Sequence, residues 1–247
     1  MSKIINAHIH LGGSFVTDSY YSEEQLLSCM EENHLDGMMV LPLAEPTPDN
    51  IEGHNRIYKF AKANPGKIWG VCDMHPRHPE DEYRDEVKRC VLELGFVALK
   101  LHPLLHGVNA MSKVADKAYR IANELNIPLM VHTGLGVTMS PLMYVKKAQQ
   151  YPDLKIVLCH CGTMDKFNEA LTAAQLCPNI YLEPSWCPSH YVERAIHTIG
   201  ADRIVMGSDG LQSTAIEIAK ANNMKTISKE EREKFMGLTA INLYNLQ

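Results

Sequence analysis

Short apolar or β-branched runs recur along this chain with starts 24 to 32 residues apart. They are IINAHIH (4–10), DGMMVLPL (36–43), KIWGVCDM (67–74), FVALKLHP (96–103), PLMVHTG (128–134), KIVLCHCG (155–162), NIYLEPS (179–185) and RIVMGSDG (203–210). Runs this short that lack polar alternation read as strands buried on both faces. Amphipathic stretches with helix punctuation lie between them. Ser22 with Gln25 and Ser228 with Glu231 fit capping boxes, Pro79 and Pro141 suit first turns, and Gly95 and Gly200 follow helix ends. Eight strand–helix units predict a parallel α/β sheet closed into a single (β/α)8 TIM barrel, in preference to an open doubly wound sheet. No linker or compositional shift interrupts the series, so residues 1–247 are expected to form one domain.

Charge and apolar run length narrow the class of function. Lys plus Arg number 24 against 29 Asp plus Glu, a net charge of −5 without any basic run, which argues against a nucleic-acid partner. The longest apolar stretches, such as Met38–Leu41 and Ile156–Cys159, are strand-sized, so no membrane span is expected. Met1-Ser2-Lys3 leads straight into the first run without a signal peptide, and the expectation is a cytoplasmic protein acting on a small molecule, with assembly into a homo-oligomer left open. The seven cysteines are scattered without CxxC spacing and read as reduced, buried thiols.

The longest irregular stretches, Leu11–Tyr21, Pro42–Asn50, His75–Pro79 and Pro103–Ser112, follow strand ends and so fall on the C-terminal rim, where barrel active sites are built. His8 and His10 stand two apart on the first strand and share a face. Alone the pair says little, since each histidine is as readily a hydrogen-bonded core residue. Its company is more informative: His102 closes the fourth run, His132 the fifth, His160 the sixth and Asp209 the eighth. Imidazole and carboxylate donors gathered at strand ends predict a metal site at the C-terminal mouth, suited to Zn, Mn or Fe.

These segments carry a family resemblance. NAHIH, GFVALKLHP, IPLMVHTG, YPDLKIVLCHCG, NIYLEPS and DRIVMGSDG, in that order and over nearly the whole chain, resemble the amidohydrolase superfamily, and within it the short-chain group of metal-dependent hydrolases, lactonases and decarboxylases. The resemblance implies His8, His10, His132 and Asp209 as metal ligands, and His160 as a second-metal ligand or proton-transfer group. Where members often have GSDxP, this chain continues Gly210-Leu211-Gln212. Lys100 occupies the strand where some members carry a carboxylated lysine or a glutamate bridging two metals; an unmodified ammonium and a Schiff-base lysine are the other readings.

The expectation is therefore a hydrolase with one or two divalent ions, zinc foremost, in which activated water attacks an amide, lactone or related carbonyl and Asp209 and His160 move protons. The alternative is non-oxidative decarboxylation of a small carboxylic acid; an inactive metal-binding scaffold is a third reading. His102, His75, Arg77 and His106 are expected to bind substrate, with His78 and Trp186 as further rim residues and Glu183 as a partner for a ligating histidine. A phosphoesterase would be expected to end on Asp-x-His and a TatD-like nuclease to offer Glu at the position of Lys100; neither pattern is present. Gly134-Leu135-Gly136 reads as a simple turn, and His34, His54, His190 and His197 as surface or packing residues.

Overall fold

A computed structural model describes residues 3–14, 18–43, 50–134, 136 and 139–247. The chain runs β1 (Ile5–Ser14), β2 (Ser19–Tyr21), α1 (Glu23–Glu32), β3 (Gly37–Pro42), α2 (Ile51–Ala63), β4 (Ile68–Asp73), α3 (Glu80–Leu92), β5 (Ala98–Leu101) and α4 (Lys113–Glu124). It continues through β6 (Leu129–His132), α5 (Tyr144–Gln150), β7 (Ile156–Cys159), α6 (Thr163–Leu176), β8 (Ile180–Glu183), α7 (Ser189–Ile199), α8 (Leu211–Asn223), α9 (Lys229–Glu233) and α10 (Thr239–Tyr244). The sheet order is β2-β1-β3-β4-β5-β6-β7-β8, every pairing being parallel except that of β2 with β1.

Seven of the eight apolar runs become these parallel strands, and all but β1 end short of their runs because the rim residues turn away. The eighth departs from expectation. Residues 203–210 form no ladder; Ile204 bridges Leu182 and Asp209 bridges Ile9, so one segment touches both outer strands and the sheet curls. Its backbone is held by Val205 N–H to Leu182 O and Ala7 N–H to Met206 O, both 2.9 Å, and by Asp209 N–H to His8 O at 2.8 Å. Leu11–Tyr21 also differs from the irregular stretch expected, because β1 runs on to Ser14 and folds back through β2, pairing Gly12 with Tyr21. Both capping boxes form, at Ser22 and Ser228. Pro79 caps α3 from outside, and Pro141 opens a 3-10 turn instead of an α-helix. Residues 44–49 of the Pro42–Asn50 stretch, and Leu135 of the glycine turn, lie outside the described residues.

The inward face of the sheet is layered. Ile5, Ala7, Met39, Leu41, Val71, Ala98, Met130, Val157 and Val205 form an apolar floor, closed beneath by Leu243 and Tyr244 at α10. The outward set, including Val40, Leu99, Val131, Leu158 and Leu182, packs under the helices. Strand parity then places Asp73 two residues beyond Val71, Lys100 beyond Ala98, His132 beyond Met130, and Cys159 beyond Val157 on the same face. The β1–β3 register shifts between Asn6 and Ile9, and such an irregularity turns the strand so that His8 and His10 face inward while Ile9 packs outward.

Candidate metal centre and cleft

His8 is fully buried at the floor of the rim. Its Nδ1 lies 2.8 Å from Glu183 Oε2, and its Nε2 lies 3.3 Å from Asp209 Oδ1. His10 Nδ1 lies 3.0 Å from the Pro42 carbonyl and its Nε2 3.1 Å from the same Asp209 oxygen. Glu183 and the Pro42 carbonyl only accept, so each Nδ1 carries a proton, and a ring that holds no second proton turns a bare Nε2 toward the carboxylate. Three acceptors then converge, with Lys100 Nζ 3.1 Å from His8 Nε2 on one side, an arrangement a cation would satisfy. Ligands about 2.1 Å from a tetrahedral ion stand about 3.4 Å apart, close to these separations. His8, His10 and Asp209 thus offer ligand atoms mutually within 4.8 Å and fit a divalent ion.

Electrostatics suits the same use. Burial, then the nearby Lys100 ammonium, holds His8 well below the usual imidazole range. Burial likewise lowers His132 and His102 and takes His160 to about 4. Burial opposes the charge of Asp209, but His160, His10 and His8 hold its carboxyl well below the ordinary range. The outcome at neutral pH is an ionised Asp209 beside neutral His8, His102, His132 and His160, the protonation state that metal ligands need. Asp209 adopts φ +67°, and Gly207 two residues earlier has no room for a side chain: a Cβ there would stand 2.7 Å from His8 Cβ and 2.9 Å from the Glu183 carboxyl.

The remaining histidines form a second arc. His132 stacks on His102 at 4.0 Å between centroids and meets His160 edge-on at 4.8 Å; its buried Nδ1 has no hydrogen-bond partner among the described residues. His132 is not within ligand range of His8, His10 and Asp209 together, although it borders the same cleft. His160 Nδ1 lies 2.7 Å from Ser185 Oγ, which in turn donates to Glu183 Oε2 at 3.1 Å. Glu183 also accepts the Ser185 N–H at 2.7 Å, so one buried carboxylate orients both His8 and His160.

Lys100 is fully buried, with Nζ 3.1 Å from His8 Nε2 and 3.4 Å from Cys159 Sγ. Among the described residues no carboxylate forms an ion pair with it. His75, Arg77 and His106 are not brought to the cleft wall. His106 is buried, its Nε2 3.2 Å from Asp73 Oδ1, and His75 packs on its ring at 4.9 Å. Arg77 donates to the Gly107 carbonyl at 3.2 Å, and His78 lies beside Glu82 on α3. His54 is a packing residue as expected, tied to Glu86 at 2.7 Å.

Above His8, His10 and Asp209 opens a cleft of about 930 Å³. His10, His102, His132 and Asp209 form its polar base, and Leu43, Leu104, Leu105, Trp186 and Ile216 its apolar walls. Trp186 is 62% exposed and held at φ +69°, with its N–H donated to Glu217 Oε1 at 2.9 Å. Sequence reasoning passed over Tyr21, Gln212 and Glu217, which also line the cleft, and Asp73, whose signal was an acid closing an apolar strand. The seven cysteines are all free and buried, and no described helix is long and apolar enough to cross a membrane.

Residues 25–246 match the sequence profile of the family described as Amidohydrolase. No curated protein sequence matches the chain. A 2,6-dihydroxybenzoate decarboxylase solved with 2,6-dihydroxybenzoate superposes with a TM-score of 0.80 at 16% identity, covering 100% of this chain and 99% of that one. The 5-carboxyvanillate decarboxylase LigW of Sphingomonas paucimobilis gives 0.80 at 11% identity, with 100% of both chains covered. A dihydroxybenzoic acid decarboxylase from Polaromonas sp. JS666, solved with manganese and the inhibitor 2-nitroresorcinol, gives 0.76 at 17% identity over 100% and 98%. At such identities the superpositions establish a shared fold. With the family profile covering residues 25–246, the chain belongs to the amidohydrolase family.

Proposed function

We propose that this protein is a metal-dependent non-oxidative decarboxylase of a small carboxylic acid, built on a closed (β/α)8 barrel. The reading is carried by the convergence of His8 Nε2, His10 Nε2 and Asp209 Oδ1, all acceptors, at the floor of an apolar-walled cleft. His132 is assigned to the substrate side of the ion, bordering the cleft, and Lys100 as an uncarboxylated charge partner. The mixed nitrogen and oxygen set accommodates Mn or Zn, and the manganese in the Polaromonas structure favours Mn. The reading replaces hydrolysis as first choice because the three solved relatives above are decarboxylases by name.

A divalent ion bound by these residues would supply Lewis acidity and an anchor for the substrate carboxylate. Glu183 fixes the tautomer of His8 and, through Ser185, supports His160. A substrate anion close to His160 raises its proton affinity, so its Nε2 can take a proton as substrate arrives. That proton passes to the carbon bearing the carboxylate and forms the C–H bond. The C–C bond then breaks, its electron pair returns to the substrate, and carbon dioxide leaves. The leucines and Trp186 keep water from the reacting carbon.

Hydrolysis stays as a second reading on one observation: Asp209 is held ionised with a side chain 25% exposed, placed to take a proton from attacking water. Manganese-loaded protein incubated in parallel with hydroxybenzoic acids and with lactones and other carboxylic esters separates the two. Carbon dioxide release from an acid supports the proposal; ester cleavage without carbon dioxide from any acid rejects it.

A further inference from the structure

We infer that the cleft accepts a substrate with a single carboxylate and selects, at the end remote from the floor, for a hydroxyl or amino group that donates hydrogen bonds. This rests on the decarboxylase reading for the group bound at the floor and extends it to the rest of the molecule. Asp73 and Glu183 are fully buried and the Asp209 side chain is 25% exposed at the cleft base, where a divalent ion would supply the positive charge that meets a substrate carboxylate. A first substrate carboxylate has direct ligation to hold it there. A second would have no counter-charge.

None of the described residues that line the cleft is Lys or Arg. The stretches 15–17 (FVT), 44–49 (AEPTPD), 135 (L) and 137–138 (VT) contain neither residue. Lys220, on α8 beside the lining Glu217, is fully committed: its ammonium pairs with Glu217 and donates to the carbonyls of Pro184 and Cys187, each at 3.0 Å. The far wall instead offers acceptors. Asp18 is a carboxylate, both oxygens of Glu217 are taken by Lys220 and the Trp186 N–H, and Tyr21 gives its hydroxyl proton to Gln212 Oε1 at 3.1 Å. Ser213 gives its proton to the Ser208 carbonyl, so both hydroxyl oxygens are left to accept. A substrate anion there, within roughly 6 to 8 Å of Asp18, should bind about 10- to 100-fold more weakly than a neutral donor.

The test is titration calorimetry at pH 7 of the manganese-loaded protein with salicylate, 5-aminosalicylate and 4-hydroxyisophthalate, the last being salicylate with a second carboxylate. The aminosalicylate should bind at least as tightly as salicylate and the diacid about 10- to 100-fold more weakly. Ile216→Arg, which sets a guanidinium on the exposed wall of α8, should close or invert that gap. Asp18→Asn, whose new side chain tolerates the φ of +47° at this position, should narrow it severalfold even if the arginine variant fails to fold. Equal affinity for monoacid and diacid, or a gap that neither folded variant changes, overturns the inference, and failure of all three acids to bind overturns it together with the decarboxylase reading. Discrimination in binding without carbon dioxide from any acid leaves the inference and rejects that reading. Equal kcat/KM for carbon dioxide release from monoacid and diacid does the reverse.

Discussion

Glu183→Gln isolates what orients His8. The carboxylate accepts from His8 Nδ1 at 2.8 Å through one oxygen and from the Ser185 N–H at 2.7 Å through the other. Glutamine has one acceptor oxygen. If that oxygen stays on the Ser185 amide, the glutamine NH2 faces His8 Nδ1, which must surrender its proton to accept. The proton moves to Nε2 and removes the lone pair directed at the ion. Loss of such an orienting partner costs about 10- to 100-fold in metal affinity, or about 1.4 to 2.7 kcal/mol. The fold should suffer less, because burial raises the pKa of Glu183 and its charge therefore does not stabilise the folded state at neutral pH. Chelator competition with Mn measures the affinity, and thermal unfolding of metal-free protein measures the fold. A Glu183→Gln variant that binds Mn within twofold of the native protein would refute the claim that this carboxylate sets the tautomer of His8.

Three further outcomes follow from the same geometry. His160→Asn should keep its metal while turnover falls by roughly 10² to 10⁴, the range for loss of a proton-transfer group; unchanged turnover would remove His160 from the mechanism. Asp209→Asn should bind metal less tightly, yet turnover per bound ion should fall by less than about tenfold if the reaction is decarboxylation, against roughly 10² or more if Asp209 is the base of a hydrolase. Away from the site, burial opposes the charge of His54, but hydrogen bonds with Cys90 and Glu86 raise its pKa to about 9. Its stabilisation is complete below the unfolded value near 6.5 and is lost as pH rises through about 9, a change of about 3 kcal/mol. Urea unfolding across that interval should show the loss in the native protein and a flatter profile in His54→Gln.

Much of this arrangement is readable from residue order, because barrel strands place side chains by parity. Apolar floor residues such as Ala98 and Met130 announce, two positions on, the inward-facing Lys100 and His132. The same rule identifies Glu183 as a partner on the face of Ser185. Parity fails where the backbone is irregular. The register shift in β1 and the turn at Asp209 with φ +67° have no period to reveal them, so the eighth run reads as a strand although its amides reach back to His8 and Leu182 individually. Rim histidines are hardest to place. His75 and His106 follow strand ends as substrate-binding residues should, yet burial against Asp73 draws them beneath the wall. Glu217 and Lys220 lie on a helix, where only the folded chain shows them holding the Trp186 loop.

The central claim is that His8, His10 and Asp209 hold one divalent ion. Metal content per chain, measured by plasma mass spectrometry after manganese loading and removal of free ion, tests it directly when native protein is compared with the His8→Ala/His10→Ala double variant. Near-stoichiometric metal in the native chain and almost none in a folded double variant is the predicted result. Equal occupancy in both would contradict the account.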